Sequence, residues 1–289
     1  MIHAVEIIHT SVQTNGVTLQ VAQAGPEDGP LVLLLHGFPD FWYGWRHQID
    51  FLARAGYRVW APDQRGYNRS DKPRGIAAYS VNTLADDIAG LIDAAGREKA
   101  VIVGHDWGGG VAWWTALRYP QRVEKLVILN SPHSTVLTNQ FLRNPRQLRK
   151  SWYMFAFQLP RLPEWLTLRN DAETGKNALR QSSRPGTFSE ADLARYADAW
   201  QQPGAMTGMI NWYRAAFRRR PTPPADDRVH VPTRIIWGAR DAFLNRELAT
   251  LSAEYCDDAD VTFIEEATHW VQHEEPEQVN SLIVDFLRA

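Results

Sequence analysis

The chain reads as an α/β protein: a mostly parallel sheet covered by helices on both faces, with a helical segment inserted late in the strand series. Three observations predict this. Short continuous apolar runs alternate with longer amphipathic stretches, the rhythm of buried strands joined by crossover helices. That rhythm stops after Ser131-Pro132, where about a hundred residues rich in Trp, Arg and Pro show helical spacing instead. It resumes at Thr233.

Taken in order, residues 17–22 alternate apolar and polar as an early strand does, and 31–35, 58–61, 101–103 and 126–129 are unbroken apolar runs of buried-strand type. Helical patterns fall between them, as at 83–95. The inserted segment is broken at Pro160, Pro163, Pro185 and Pro203, which predicts several short helices. Residues 233–238 and 260–264 return to strand patterning, and an amphipathic helix over 276–287 closes the chain. The expected organisation is one core domain from 1–132 and 229–289, with a helical cap over 133–228 after the sixth strand. Arg218-Arg219-Arg220 before Pro221 reads as a solvated helix end.

Composition narrows the function classes. With 31 basic and 33 acidic residues and a net charge of −2, the chain shows no electrostatic footprint for nucleic acid or an anionic membrane, and neither is expected as a partner. Cys256 is the only cysteine, which excludes an internal disulfide and a Cys-rich metal site. Met1-Ile2-His3-Ala4-Val5-Glu6 has no signal-peptide pattern, and no apolar run reaches the roughly 18 residues needed to span a bilayer. The expectation is a cytoplasmic protein, monomer or homodimer, with a small-molecule substrate and neither cofactor nor metal.

The chemistry is carried by Gly104-His105-Asp106-Trp107-Gly108, which follows the apolar run 100–103 and precedes a helix-like segment. Flanking glycines let the backbone bend sharply and lift the middle side chain clear of the sheet, a nucleophile elbow. Here the nucleophile is a carboxylate. Aspartate is poorly suited to attack a carbonyl, but its oxygen can displace a leaving group from an sp3 carbon and leave an alkyl ester on the enzyme. Water must then cleave that ester, which calls for a base working near neutral pH, the role of a histidine.

Five segments together resemble the α/β-hydrolase fold, and within it the epoxide hydrolases that share an aspartate nucleophile with haloalkane dehalogenases. They are His36-Gly37-Phe38-Pro39, Asp63-Gln64-Arg65-Gly66-Tyr67-Asn68-Arg69-Ser70, Gly104-His105-Asp106-Trp107-Gly108-Gly109, Trp237-Gly238-Ala239-Arg240-Asp241 and Thr268-His269-Trp270. The resemblance implies an eight-stranded sheet and, in chain order, nucleophile Asp106, acid Asp241 and base His269. It assigns the oxyanion hole to the backbone N–H groups of Phe38 and Trp107 and implies a Phe38-Pro39 bond that is often cis in the family. It also points to cap tyrosines Tyr153 and Tyr213 as donors to the opening epoxide oxygen, since a phenol with pKa near 10 stays protonated at working pH.

Other residues take plainer readings. His36 and His105 sit inside turn motifs and are expected to orient backbone. His273 lies four residues after His269, but no metalloprotease glutamate or third ligand accompanies them. Asn130 occupies the end of the sixth strand, where some dehalogenases carry the acid, and cannot supply a charge. Gly108-Gly109-Gly110 lacks the Lys-Ser/Thr of a phosphate loop and reads as close helix packing. Some of Trp113, Trp114, Trp152, Trp165, Trp200 and Trp212 are expected to wall an apolar cavity between cap and core.

The implied reaction converts an apolar or aromatic epoxide, with water, to a vicinal diol. Two alternatives stay open: haloalkane dehalogenation by the same Asp106, and a non-catalytic small-ligand receptor on the same fold. Many dehalogenases carry asparagine where this chain has Phe38. Fluoroacetate dehalogenases place arginines where it has Trp107 and Gly110, so an anionic substrate is disfavoured.

Overall fold

A computed structural model describes residues 5–219, 221, 224 and 226–289; the start of the chain, Met1 to Ala4, and Arg220 of the basic run lie outside them. Eight strands form one sheet: β1 (Ile8–Thr14), β2 (Val17–Ala24), β3 (Leu31–Leu35), β4 (Arg58–Pro62), β5 (Ala100–His105), β6 (Val123–Leu129), β7 (Thr233–Gly238) and β8 (Ala259–Ile264). Their spatial order is β1-β2-β4-β3-β5-β6-β7-β8. β1 pairs antiparallel with β2, and β2 antiparallel with β4; every other pairing is parallel. The mostly parallel eight-stranded sheet is therefore as expected.

The strands sort their side chains by the two-residue period of the pleat. On β3, Leu31, Leu33 and Leu35 enter one core with Ile102, Leu126, Ile128 and Trp237, while Val32 and Leu34 enter the other with Val103, Val127 and Leu129. All five β3 side chains are buried. Each such side chain contributes about 1.5–3 kcal/mol of hydrophobic stabilisation, so the central strands fix the sheet.

Helices α1 (Arg46–Arg54), α2 (Val81–Ala94) and α3 (Trp107–Arg118) connect the early strands. Between β6 and β7 lie α4 (Ser134–Arg143), α5 (Pro145–Lys150), α6 (Trp152–Ala156), α7 (Leu162–Ser182), α8 (Glu190–Gln201) and α9 (Ala205–Arg218). The prolines punctuate this segment as expected. Pro163 sits in the first turn of α7, where a missing N–H costs nothing, and the other three fall between helices. α10 (Glu247–Ala253), α11 (Val271–Glu274) and α12 (Pro276–Arg288) complete the chain. No helix among the described residues is long and apolar enough to cross a membrane.

Strand order reverses at β3, with β4 on one side and β5 on the other. A crevice outside the carboxyl ends of strands at such a switch point is where open α/β sheets bind ligands. The loops after β3 and β5 carry Phe38 and Asp106.

Candidate active site

The elbow is built by close packing. Asp106 has φ 51° and ψ −121°, a conformation that costs about 1–3 kcal/mol in a residue with a side chain. A Cβ on Gly104 would lie 2.5 Å from the Gly108 oxygen, and one on Gly37 would overlap Asp106 Oδ1. The expected tight packing of the triple glycine holds at Gly108 and Gly109, which abut Leu35 and Ser131. It does not hold at Gly110, where the nearest atom to an added Cβ is 4.0 Å away, because that face of α3 turns away from the sheet. The strained turn is held by hydrogen bonds from Asp106 N to Leu129 O (3.2 Å), Gly110 N to Asp106 O (3.0 Å) and Ser131 Oγ to Asp106 O (2.7 Å).

The Asp106 carboxylate lies at the amino end of α3, where the helix dipole favours negative charge. The Phe38 amide donates to Asp106 Oδ1 at 2.8 Å. Trp107 opens α3, so its amide is one of those that helix geometry leaves without an intrahelical acceptor. The Phe38-Pro39 bond is cis.

His269 sits in the loop after β8 and reaches both carboxylates. Nδ1 is 2.7 Å from Asp241 Oδ2, and Nε2 is 3.5 Å from Asp106 Oδ2. Side-chain exposure is 3% for His269, 0% for Asp241 and 15% for Asp106, so only the Asp106 end is open. Burial by itself would depress the imidazole pKa, but Asp241 and Asp106 on either side outweigh it and push it up to about 10. The Asp241 carboxyl is likewise burdened by burial, yet His269 and Asn130 hold it below its ordinary value.

Both ends of this unit are fixed by further partners, of which the sequence announced only His105. Asn130, at the end of β6 with φ 41°, donates from Nδ2 to Asp241 Oδ2 at 2.7 Å and accepts from Gly238 N at 2.8 Å. Asp241 Oδ1 accepts from the amides of Phe243 (2.7 Å) and Leu244 (2.9 Å). The His269 loop is pinned by His105 Nε2, 2.8 Å from His269 O, and by Glu274, which accepts from the Thr268 amide and hydroxyl. His105 and His36, the latter hydrogen-bonded to Gln64 N and Gly37 O, thus orient backbone as expected. His273 points instead to Asp40 (3.1 Å) and Arg46 (3.0 Å). No group of three metal-ligating side chains exists among the described residues.

Tyr213 on α9 and Tyr153 on α6 reach the site from above. Gly208 of α9 meets Gly66 of the core so closely that a Cβ on Gly208 would lie 2.5 Å from Gly66 O. Trp212 Nε1 donates to Arg65 O at 2.9 Å beside this contact. α9 therefore rests directly on the core, and Tyr213 packs edge-on against Trp107 (5.0 Å) and Phe38 (5.3 Å). Tyr153 packs edge-on against Tyr213 in turn (5.9 Å), so the Trp107, Tyr213 and Tyr153 rings sit together. Burial, followed by neighbouring charge and phenol groups, raises both phenol pKa values, so both stay protonated.

The six candidate tryptophans divide into two groups. Trp152 and Trp165 face solvent, at 67% and 58% exposure. Trp113, Trp114, Trp200 and Trp212 are buried, their indole N–H groups donated to Ser131 O, Asn82 Oδ1, Pro39 O and Arg65 O. They tie elements together, and Trp212 also packs toward the site, 6.0 Å from Trp107. Two surface cavities, of about 390 and 480 Å3, lie away from Asp106.

Comparison with known proteins places this geometry. Residues 30–276 match the alpha/beta hydrolase fold family. The AB hydrolase superfamily protein YfhM of Bacillus subtilis (strain 168) is 50% identical over 96% of each chain. Epoxide hydrolase 4 of Mus musculus is 39% identical over 97% of this chain and 79% of its own. The crystal structure of Bacillus megaterium epoxide hydrolase in complex with an inhibitor superposes with a TM-score of 0.88, at 32% identity, over 97% of this chain and 100% of that one. The chain belongs to the α/β-hydrolase fold family, in its epoxide hydrolase branch.

Proposed function

We propose that this protein is an epoxide hydrolase that converts an apolar or aromatic epoxide to a vicinal diol through an ester on Asp106, with residues 133–228 acting as the cap. The observation that carries this reading is the adjacent, buried Tyr153-Tyr213 pair beside a carboxylate backed by His269 and Asp241. An opening epoxide ring needs an acid at its oxygen, and two buried, protonated phenols supply it. The haloalkane reading is less well served, because the Trp107 indole that would hold halide has the Tyr213 ring packed against it.

The proton inventory closes. With a pKa near 10, His269 enters the cycle as imidazolium, paired with ionised Asp106. Asp106 attacks a ring carbon, the C–O bond breaks, and a tyrosine proton passes to the new alkoxide. Esterified Asp106 no longer carries charge, so the His269 pKa falls and its proton restores the tyrosine. Neutral His269, held by Asp241, then takes a proton from water, whose oxygen adds to the ester carbonyl. The oxyanion is met by the amides of Phe38 and Trp107, donors of a kind worth about 3–4 kcal/mol each. Collapse passes the acid proton to the departing alkoxide. Asp106 returns as carboxylate and His269 as imidazolium.

Isotope labelling tests the scheme. In a single turnover of styrene oxide in oxygen-18 water, the oxygen entering the diol should come from Asp106; direct incorporation from solvent would rule out the ester. In the His269→Gln variant the alkyl-enzyme should accumulate as added mass, and an unmodified mass with a confirmed substrate would remove His269 from the second step.

A further inference from the structure

Ten large apolar side chains are strongly exposed among the described residues, and eight of them lie on one part of the cap, in 148–166 and at Phe217. Phe155 of α6 packs on Phe217 of α9 at 5.3 Å. Arg214 ties the neighbouring pieces into one surface by donating to Phe157 O, Leu159 O and Glu164. Leu162, Trp165 and Leu166 follow on α7, spaced three and four residues apart as one helical face requires. Trp165 lines a shallow cavity with Thr207 near the other end of α9, so the patch runs about 15 Å along that helix. Patches this concentrated mark interaction surfaces.

The charge along the same stretch of chain is equally uneven, and Arg161 and Arg169 line the cavity beside Trp165. Between Arg143 and Arg169 the basic residues are Arg143, Arg146, Arg149, Lys150, Arg161 and Arg169, against a single acid, Glu164. Glu164 is already bound by Arg214. The five arginines are exposed and, among the described residues, none has a carboxylate partner. The chain-wide balance of −2 conceals this local excess.

We propose that this face of α6, α7 and the end of α9 docks on an anionic lipid bilayer, its aromatic and leucine side chains entering the headgroup boundary while the arginines meet lipid phosphates. Exposed Trp, Phe and Leu rimmed by Arg are the composition that interfacial segments use. A second copy of the chain fits less well. A twofold contact would set the unpaired arginines against their own equivalents. Docking does not depend on the reaction proposed above, but it would suit an apolar substrate. α6 carries Trp152 and Phe155 on the lipid side and Tyr153 toward Tyr213, one helix away.

Vesicle co-sedimentation of the full chain tests this, using equal parts phosphatidylglycerol and phosphatidylcholine against phosphatidylcholine alone. The expected result is binding to the anionic vesicles at low salt, weakened by high salt. Binding should fall about tenfold in Trp152→Ser/Trp165→Ser and similarly in Arg146→Glu/Arg149→Glu, with melting unchanged because all four side chains are exposed. No binding to anionic vesicles at low salt overturns the proposal, as does binding that both double variants retain. A lipid-free dimer that the tryptophan variant converts to monomer also overturns it, in favour of a second copy.

Discussion

Asp241→Asn separates an electrostatic role for this carboxylate from a merely structural one. Four donors converge on its two oxygens: the Phe243 and Leu244 amides on Oδ1, and Asn130 Nδ2 and His269 Nδ1 on Oδ2. Asparagine keeps one oxygen and turns the other into an NH2, so either orientation buries donor against donors. Each unsatisfied buried donor costs about 1–3 kcal/mol, and removing one partner of a buried ion pair about 3–5 kcal/mol. These overlap, so the expected loss of stability is about 3–5 kcal/mol, read by urea denaturation near pH 6. The pH dependence fixes the cause. The folded His269 pKa is raised from 6.5 to about 10, so its contribution is complete below pH 6.5 and fades as pH rises through 10. The Asp241 pKa is lowered, so its contribution is present above 3.8 and fades as pH falls. The gap between wild type and variant should therefore be largest between these limits and shrink toward pH 10. Activity on styrene oxide should fall by roughly 10^4, the scale found when a triad acid is made neutral. A stability gap that persists unchanged through pH 10 would refute the electrostatic account.

Tyr213→Phe should lower the rate of Asp106 alkylation by about 10^2 to 10^4, seen in pre-steady-state mass spectrometry; bromide release from 1-bromobutane that survives the change would favour the haloalkane reading. Gly37→Ala should abolish turnover while leaving the sheet folded, because its Cβ meets the Asp106 carboxylate, as kinetics with circular dichroism would show. Gly110→Ala, with open space at its Cβ, should keep activity and raise stability by about 0.5–1 kcal/mol in denaturant titration. Asn130→Asp should set a second carboxylate against Asp241 and lower activity more at high pH than at low, measured as a kcat/KM profile.

The fold was legible wherever strands are buried on both faces, because an unbroken apolar run has few other readings. β1 escaped notice for the opposite reason. Its residues from Ile8 to Thr14 lie at the sheet edge, mostly solvent-facing, and show no apolar alternation. In the site, Asp106 stood out because a single local turn carries its geometry, and His269 and Asp241 followed from the family resemblance with its chain order. Asn130 could be read only as lacking a charge. Its hydrogen bond to a side chain 111 residues away leaves no mark in its own neighbourhood. Gly208 was silent likewise, since its meaning lies in the Gly66 backbone across the cap contact. Which tryptophans face the site could not be read, because composition cannot tell an indole facing a cavity from one donating to a carbonyl.

Those indoles also explain why cap and core should act as one unit. Trp200 of α8 donates to Pro39 O at 2.6 Å, and Tyr196 of the same helix to Asp40 Oδ1 at 2.8 Å. Both grip the loop whose Phe38 amide faces Asp106. Asp40 is held from the other side by His273, itself bonded to Arg46, so the loop is clamped between the cap and the helix that follows the His269 loop. On α9, Trp212 grips Arg65 O one residue before Tyr213. Among the contacts of the cap with the core are thus two backbone carbonyls beside site residues, one next to a proposed oxyanion donor and one a helix residue away from a proposed acid. A shift of the cap would move both at once, so the donors required in the two halves of the reaction stay in register with each other.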